Sequence, residues 1–274
     1  MVRERVVVTG IGIVSPFGIG KGANLDGIRI GKVCAGAADV AADSAHSDRS
    51  SRLLLTACRE ALDDAGMETP LPVESGDRAG ILLATTLAGM NRAGQYLRDE
   101  ERRGIRRARG SAMRDYLAAS HRERLVKEFG WRGPALIVTN ACSSGTNIIG
   151  AALQLLRGGM ADMLLVAGYE PLCEFTQAGF QSMRIVSPDI CAPFDADRRG
   201  MMLGEGAGVF ILEREERAIA RRARIHAEIA GYGESSDAFH ITKPHPEGRG
   251  AARAILNALA DADMEPSHID HVNA

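Results

Sequence analysis

No run in this 274-residue chain approaches the roughly 18 apolar residues of a membrane-spanning helix, and the opening MVRERVVVTG lacks the apolar stretch of a signal peptide. Both absences predict a cytoplasmic protein with no membrane partner. An excess of one charge is also missing. With 33 Lys and Arg against 35 Asp and Glu, the formal net charge is −2, which argues against a dedicated nucleic-acid binder. No C-x-x-C pair occurs, and the five cysteines (Cys34, Cys58, Cys142, Cys173 and Cys191) are odd in number and scattered. That pattern supports neither a disulfide scaffold nor a zinc site. Nucleotide-binding glycine loops are lacking too. In TGIGIVSPFG, Ser15 stands where a third glycine belongs and Pro16 follows, and no phosphate-binding lysine follows LGEGAG (203–208). Close backbone packing explains both glycine clusters better than a cofactor does.

What is present is an alternation of strand-like and helix-like segments. At 45% hydrophobic and 25% charged, the chain can bury a large core, as one big domain or two modest ones. Strands are expected at 5–14, 79–85, 134–140, 162–168 and 207–213. Between the first two, Leu54, Ala57, Cys58, Ala61, Leu62 and Ala65 recur at helical spacing, with serines in front and Gly66 behind. Cys58 falls on that apolar stripe and reads as core. The alternation implies an α/β fold.

The two ends of the chain echo each other. ALDDAGMETP (61–70) is matched by ALADADMEPS (258–267), each ending a helix before an apolar strand, and VVVTGIGIV is matched upstream by AEIAGYG (227–233). This reads as one complete unit, 1–224, followed by the beginning of a second copy, 225–274. A terminal strand without a covering helix is a poor place for a domain to stop, so the chain is expected to be incomplete or completed by something else.

Cys142 lies at the seam between the apolar run PALIVTN (134–140), which reads as a buried strand, and SSGTNIIGAALQLLRGG, which reads as a helix buried on most faces. A thiol at a helix N-terminus meets unpaired N–H groups and the positive end of the helix dipole, which favour thiolate. A strand-to-helix turn also aims it into the crevice where α/β sheets place ligands. Ala141, Ser143, Ser144 and Gly145 are small enough to admit a substrate. Thiolate chemistry suits acyl transfer. By position alone a buried structural cysteine is the competing reading, and position does not decide for catalysis.

Five segments decide between them. VVVTGIGIVSPFG, NACSSGTNIIGAA, APFDADRRGMMLGEGAGVFILE, IAGYGESSDAFHITKPHPEGRGAARAI and IDHVNA, in this order from residue 4 onward, resemble the β-ketoacyl-acyl-carrier-protein synthases, the condensing enzymes of fatty acid and polyketide synthesis. The resemblance implies a thiolase-like fold of two halves related by duplication, here with a complete first half and a truncated second. It implies that Cys142 is the nucleophile carrying the acyl chain. Malonyl carrier protein would then lose carbon dioxide, and the enolate would attack the cysteinyl thioester, with the Cys142 N–H as one oxyanion donor. The implied partner is an acyl carrier protein, whose phosphopantetheine enters as a thioester and not as a resident cofactor. A homodimer, or a heterodimer with another ketosynthase-type chain, would pair through PALIVTN.

The family's two catalytic histidines belong to motifs that His46, His121, His226, His240, His245, His268 and His271 do not match. The first of those motifs normally follows a segment like HVNA. The 274-residue chain is therefore expected to self-acylate at most. A non-catalytic partner subunit of the chain-length-factor kind, or an acyl-binding relic, is the alternative; the intact Cys142 motif favours the enzyme. Family analogy sets Met201 beside the acyl pocket, where many relatives carry Phe; simple replacement of one core residue by another is the competing account. The mixed runs 98–114 and 213–224 read as solvated helix faces, the first also as an arginine-rich carrier-docking surface.

Overall fold

The computed structural model describes residues 4–40, 48–108, 110–240 and 243–273. His46 therefore lies outside the described residues, as do Ile241, Thr242 and Ala274 from the family-like segments. The described strands are β1 (Val6–Ser15), β2 (Gly18–Ile19), β3 (Ala79–Ala84), β4 (Ala135–Val138), β5 (Met163–Glu170), β6 (Gly206–Arg214) and β7 (Ala227–Glu228). They form one mixed sheet in the order β2-β1-β6-β5-β3-β4, with β7 also paired to β1. β3 runs parallel to β4 and β5, whereas β6 is antiparallel to both β1 and β5. The helices are α1 (Gly20–Arg29), α2 (Arg49–Asp64), α3 (Val73–Gly76), α4 (Met90–Arg103), α5 (Ala118–Phe129), α6 (Ser144–Arg157), α7 (Glu174–Ser182), α8 (Glu215–Ala220) and α9 (Arg249–Ala262).

The five expected strands are all present within a residue or two of the read boundaries. Because side chains alternate across a strand, a sheet covered on both faces needs apolar residues at every position. AGILLA of β3 meets this demand: Ile81 and Leu83 pack with Leu54, Cys58 and Leu125 on the α2/α5 side. Leu82 and Ala84 pack with Ile148, Leu153 and Leu156 of α6 on the other. Cys58 is fully buried, as its helical stripe predicts, and burial pushes its thiol up, out of reach of ionisation at neutral pH.

The glycines of β1 let α2 lie directly on the strand. A Cβ on Gly12 would collide with the Ala57 carbonyl, and one on Gly10 would collide with the Ala61 carbonyl. The same helix satisfies the strand: Asp64 accepts the Ile11 N–H at 2.9 Å and Glu60 the Ile13 N–H at 2.6 Å. Residues 231–261 repeat the arrangement. Gly231 and Gly233 lie against Ala258 and Ala254 of α9, and Asp261 accepts the Tyr232 N–H at 2.8 Å. At the place of the Glu60 bond, Asn257 donates to the Glu234 carbonyl at 3.0 Å. The echo read from the two ends is thus a shared packing geometry.

Four local expectations change. PALIVTN is not a buried strand: β4 forms the sheet edge, with Ala135 and Leu136 exposed, because an apolar run marks burial without saying whether the cover lies within the chain. Residues 269–273 pair with no described strand, so the echo stops after α9. The 213–224 run is more than a solvated face, since Glu213 is 0% exposed and accepts hydrogen bonds from Arg221 and from Thr9 of β1. Finally, α2 starts at Arg49, and its cap is Asp48, which accepts the N–H groups of Ser50 (2.9 Å) and Ser51 (3.2 Å).

Asp48 belongs to a buried polar cluster that ties three elements together. His121 of α5, its side chain 0% exposed, lies 3.2 Å from the Asp48 carboxylate through Nε2 and 2.7 Å from the Tyr169 hydroxyl of β5 through Nδ1. Burial alone would raise the Asp48 carboxyl. The hydrogen bond and charge of His121, with hydrogen bonds from Ser51, outweigh burial and hold it well below the usual carboxylate range. Its contribution to stability is therefore complete above the unfolded pKa of about 3.9 and is lost as pH falls below that value. His121→Ala leaves two buried groups without their partner and is expected to cost about 3 kcal/mol in urea unfolding at pH 7. It should also flatten the loss of stability on the acid side; an acid limb unchanged from wild type would contradict the assignment.

Candidate active site

β4 ends at Val138, and the chain reverses within three residues. Thr139 Oγ1 donates to the Thr85 carbonyl at 3.0 Å, fixing the strand end to the β3 loop. Asn140 (φ −128°) then leads into a short 3₁₀ turn, Ala141–Ser143, and directly into α6. Ala141 has φ +49°, in the left-handed region that costs a residue with a Cβ roughly 1 kcal/mol. Local hydrogen bonds enclose the turn: Asn140 N–H to Ser144 Oγ at 2.6 Å, Ser144 Oγ–H to the Ala141 carbonyl at 2.8 Å, and Ser143 Oγ–H to the Asn140 carbonyl at 3.0 Å. Cys142 is exposed at the apex, where the first N–H groups of α6 have no helical partners.

The thiol opens onto a cavity of about 520 Å³. Leu87, Leu172, Phe180 and Leu203 supply much of its apolar wall, with Thr176 and Phe180 contributed by successive turns of α7. Gly145, Gly168 and Gly208 also line it. A Cβ added at Gly145 or Gly208 would meet nothing within 4 Å, so these glycines keep space open and do not serve close packing. That differs from the expectation for LGEGAG, which holds for Gly206 against the Val14 carbonyl but not for Gly208.

Two carboxylates shape the walls without charging the interior. Glu170 accepts the Leu87 N–H at 3.0 Å and the Thr86 N–H, clamping the loop after β3 to the end of β5. Burial pushes its carboxyl up, and these hydrogen bonds only partly offset that. Glu205 accepts the Ala38 N–H at 2.8 Å, the Leu172 N–H at 3.1 Å and the Arg49 guanidinium, which together hold it low despite burial. Burial and the neighbouring Asp48 and Glu170 charges push the Tyr169 hydroxyl well up, so it stays a neutral partner for His121. Among the described residues no cluster of His, Cys, Asp or Glu has the makings of a metal site.

Of the residues singled out in the sequence, Cys142 stands on the cavity. Met201 is not among its lining residues: its backbone bridges to Val186, the residue is 40% exposed, and Leu203, two residues on, takes the wall position. Cys173 is buried, while Cys34 is exposed away from the wall. Among the described residues no histidine lines the cavity. Arg106 and Arg107 are exposed in the loop after α4. Sequence reasoning missed Glu170, Phe180 and Leu203. Glu170, the one acid at the end of the run MLLVAGYE, carried a readable signal; Phe180 and Leu203 did not stand out from ordinary core residues.

Comparison with known proteins agrees with this geometry. The family Beta-ketoacyl synthase, N-terminal domain, matches residues 41–218, and its C-terminal domain matches 226–274. A 3-oxoacyl-[acyl-carrier-protein] synthase 2 of Staphylococcus aureus is 35% identical over 236 residues; the aligned region covers 83% of this chain and 57% of that protein. This chain thus spans little more than half the length of its curated relative. Among solved structures, the ishigamide ketosynthase/chain length factor is similar with a TM-score of 0.87 and 32% identity, covering 98% of this chain and 72% of the other. The type II polyketide ketosynthase AntDE, solved with its acyl-carrier protein AntF, gives 0.85 and 26%, covering 97% and 71%. The α/β architecture is the thiolase-like fold of these enzymes. A cysteine on a strained strand-to-helix turn above an apolar cavity, two matched domains and these relatives place the chain in the β-ketoacyl synthase family.

Proposed function

We propose that this protein is the acyl-accepting part of a decarboxylating condensing enzyme, acting in the cytoplasm. Cys142 exposed at the mouth of a 520 Å³ apolar cavity is the observation that carries the reading. The Cys142 thiolate adds to the thioester carbonyl of an acyl group borne on a carrier protein's phosphopantetheine, and the carrier thiolate leaves. The acyl chain then lies along Leu87, Phe180 and Leu203. Malonyl carrier protein loses carbon dioxide, and the resulting enolate attacks the acyl carbonyl, expels the Cys142 thiolate and yields a 3-oxoacyl carrier protein. Phosphopantetheine belongs to the substrate, and no resident cofactor enters these steps. N–H groups at the start of α6 are positioned to stabilise the oxyanion of the first step.

A pairing surface is also part of this reading. β4 leaves its outer N–H and C=O groups at the sheet edge next to exposed Leu136, so a second ketosynthase-type chain, identical or not, is the partner that fits it. The carrier protein, typically acidic, is drawn to the exposed arginines after α4.

The enolate needs a donor near Cys142, and among the described residues no histidine lines the cavity. The purified chain mixed with octanoyl and malonyl carrier proteins is expected to gain one octanoyl group, lost in Cys142→Ser, and to release no 3-oxoacyl product by mass spectrometry. Formation of that product by the chain alone would overturn the reading that it supplies only the acyl-accepting part. Gly208→Val fills open space, so its thermal midpoint should match wild type while decanoyl transfer falls at least fivefold relative to butanoyl transfer; an unchanged ratio would remove Gly208 from the acyl wall. Reversing Arg106 and Arg107 to Glu should weaken carrier binding at least threefold at low salt, with the difference fading as salt rises. Equal affinities at every salt concentration would refute that docking surface.

A further inference from the structure

Behind Cys142, on the side of the first turn of α6 away from the cavity, an unbroken set of hydrogen bonds joins the nucleophile turn to residues 232–234. Tyr232 Oη–H donates to Glu234 Oε2 at 2.6 Å, and Asn147 Nδ2 donates to both Tyr232 Oη (2.6 Å) and Glu234 Oε2 (2.9 Å). Asn147 Oδ1 in turn accepts from Asn140 Nδ2 at 3.1 Å, and the same amide donates to Ser143 Oγ at 3.1 Å. Asn140 and Ser143 bracket Ala141 and Cys142. The contact is a fitted one: a Cβ on Gly150, one turn further along α6, would run into the Tyr232 ring.

The turn needs such support. Ala141 sits in the left-handed region although it carries a Cβ, and a conformation of that kind persists only where its surroundings over-determine it. Short-range bonds from Ser143 and Ser144 travel with the turn itself, since both residues belong to it or to the first residue of α6. Asn147 is anchored elsewhere, on a segment that Asp261 and Asn257 of α9 fix in turn.

We propose that Asn147, Tyr232 and Glu234 are positioning residues: they hold the strained turn from behind and so keep Cys142 in its acyl-accepting geometry. The inference rests on the reading of Cys142 as the acyl acceptor, but the strain-bearing role has its own consequence. Glycine adopts positive φ without penalty. Replacing Ala141 by Gly should therefore make the latch dispensable, which a general packing role for Asn147 would not predict.

Single-turnover acylation by octanoyl-pantetheine, followed by intact mass, and thermal unfolding are measured on wild type, Asn147→Ala, Ala141→Gly and the double variant. Asn147→Ala is expected to slow acylation about tenfold, and the double variant to return to within twofold of wild type. Tyr232→Phe keeps the ring against Gly150 and removes the hydroxyl, so it should slow acylation in the same direction without lowering the thermal midpoint as a cavity would. Ala141→Gly should raise the midpoint of wild type more than that of Asn147→Ala, because the latter has already let the turn relax. Equal midpoint shifts in the two backgrounds, or a folded double variant as slow as Asn147→Ala, overturn the proposal. Unequal shifts in a wild-type chain that takes no octanoyl group would uphold the latch and dismiss the acyl-accepting role instead.

Discussion

Cys142 reaches the cavity because α6 cannot move. Ile148, Ala152, Leu153 and Leu156 are inserted into the core beneath β3, β5 and β6, and they settle both the rotation and the height of the helix. A shift of one residue along α6 would turn its first turn by about 100° and raise it by about 1.5 Å, moving the sulfur off the cavity. The strand side is equally fixed, through the parallel register of β4 on β3 and the bond from Thr139 to Thr85. Between these two elements the chain turns through residues 139–143, and within that short span Ala141 takes a positive φ.

The same principle, small residues permitting close approach, organises the rest of the fold. Gly10 and Gly12 bring α2 onto β1, and the acids of α2 then serve as acceptors for strand N–H groups that have no ladder partner there. The second copy uses Gly231 and Gly233 on α9 with the same residue offsets and nearly the same acceptors. Glycine at two alternate strand positions opposite alanines on the helix is a geometric requirement: any side chain there would have to occupy the helix backbone.

Much of this was legible in the sequence, and the legible parts share a cause. Strands covered on both faces read as continuous apolar runs, α2 reads by its Leu-Ala-Cys stripe, and the echo between the two ends reads because Gly and Ala were needed twice at fixed offsets. Cys142 was legible because a strand signal and a helix signal meet at it. The misreadings share a cause as well. The exposure of β4, the burial of Glu213 and the missing ladder at 269–273 depend on which elements happen to lie alongside, and hydrophobicity along a chain carries no record of its neighbours. Met201 lies off the cavity lining for a related reason: its backbone bridges to Val186, and Leu203, two positions on, stands on the wall beside Gly204, which bridges to Gly36.

The walls of the cavity illustrate how polar groups can build an apolar site. Glu170 would be a poor neighbour for an alkyl chain if its charge faced inward. Its two oxygens are instead directed at the N–H groups of Thr86 and Leu87, which have left the β3 ladder and need acceptors. The carboxylate thus spends its hydrogen bonds on backbone that itself forms the wall, and the interior is left to Leu87 and its apolar companions. Because burial raises this carboxyl, protonation would come within easier reach than for a free glutamate, and a protonated oxygen can no longer accept as well from its N–H. Glu205 accepts in the same way from the N–H groups of Ala38 and of the wall residue Leu172, with Arg49 as counter-charge to hold it low. Two acids with opposite shifts therefore hold backbone of one apolar cavity: burial dominates at Glu170, whereas at Glu205 the Arg49 guanidinium and two backbone N–H groups outweigh it.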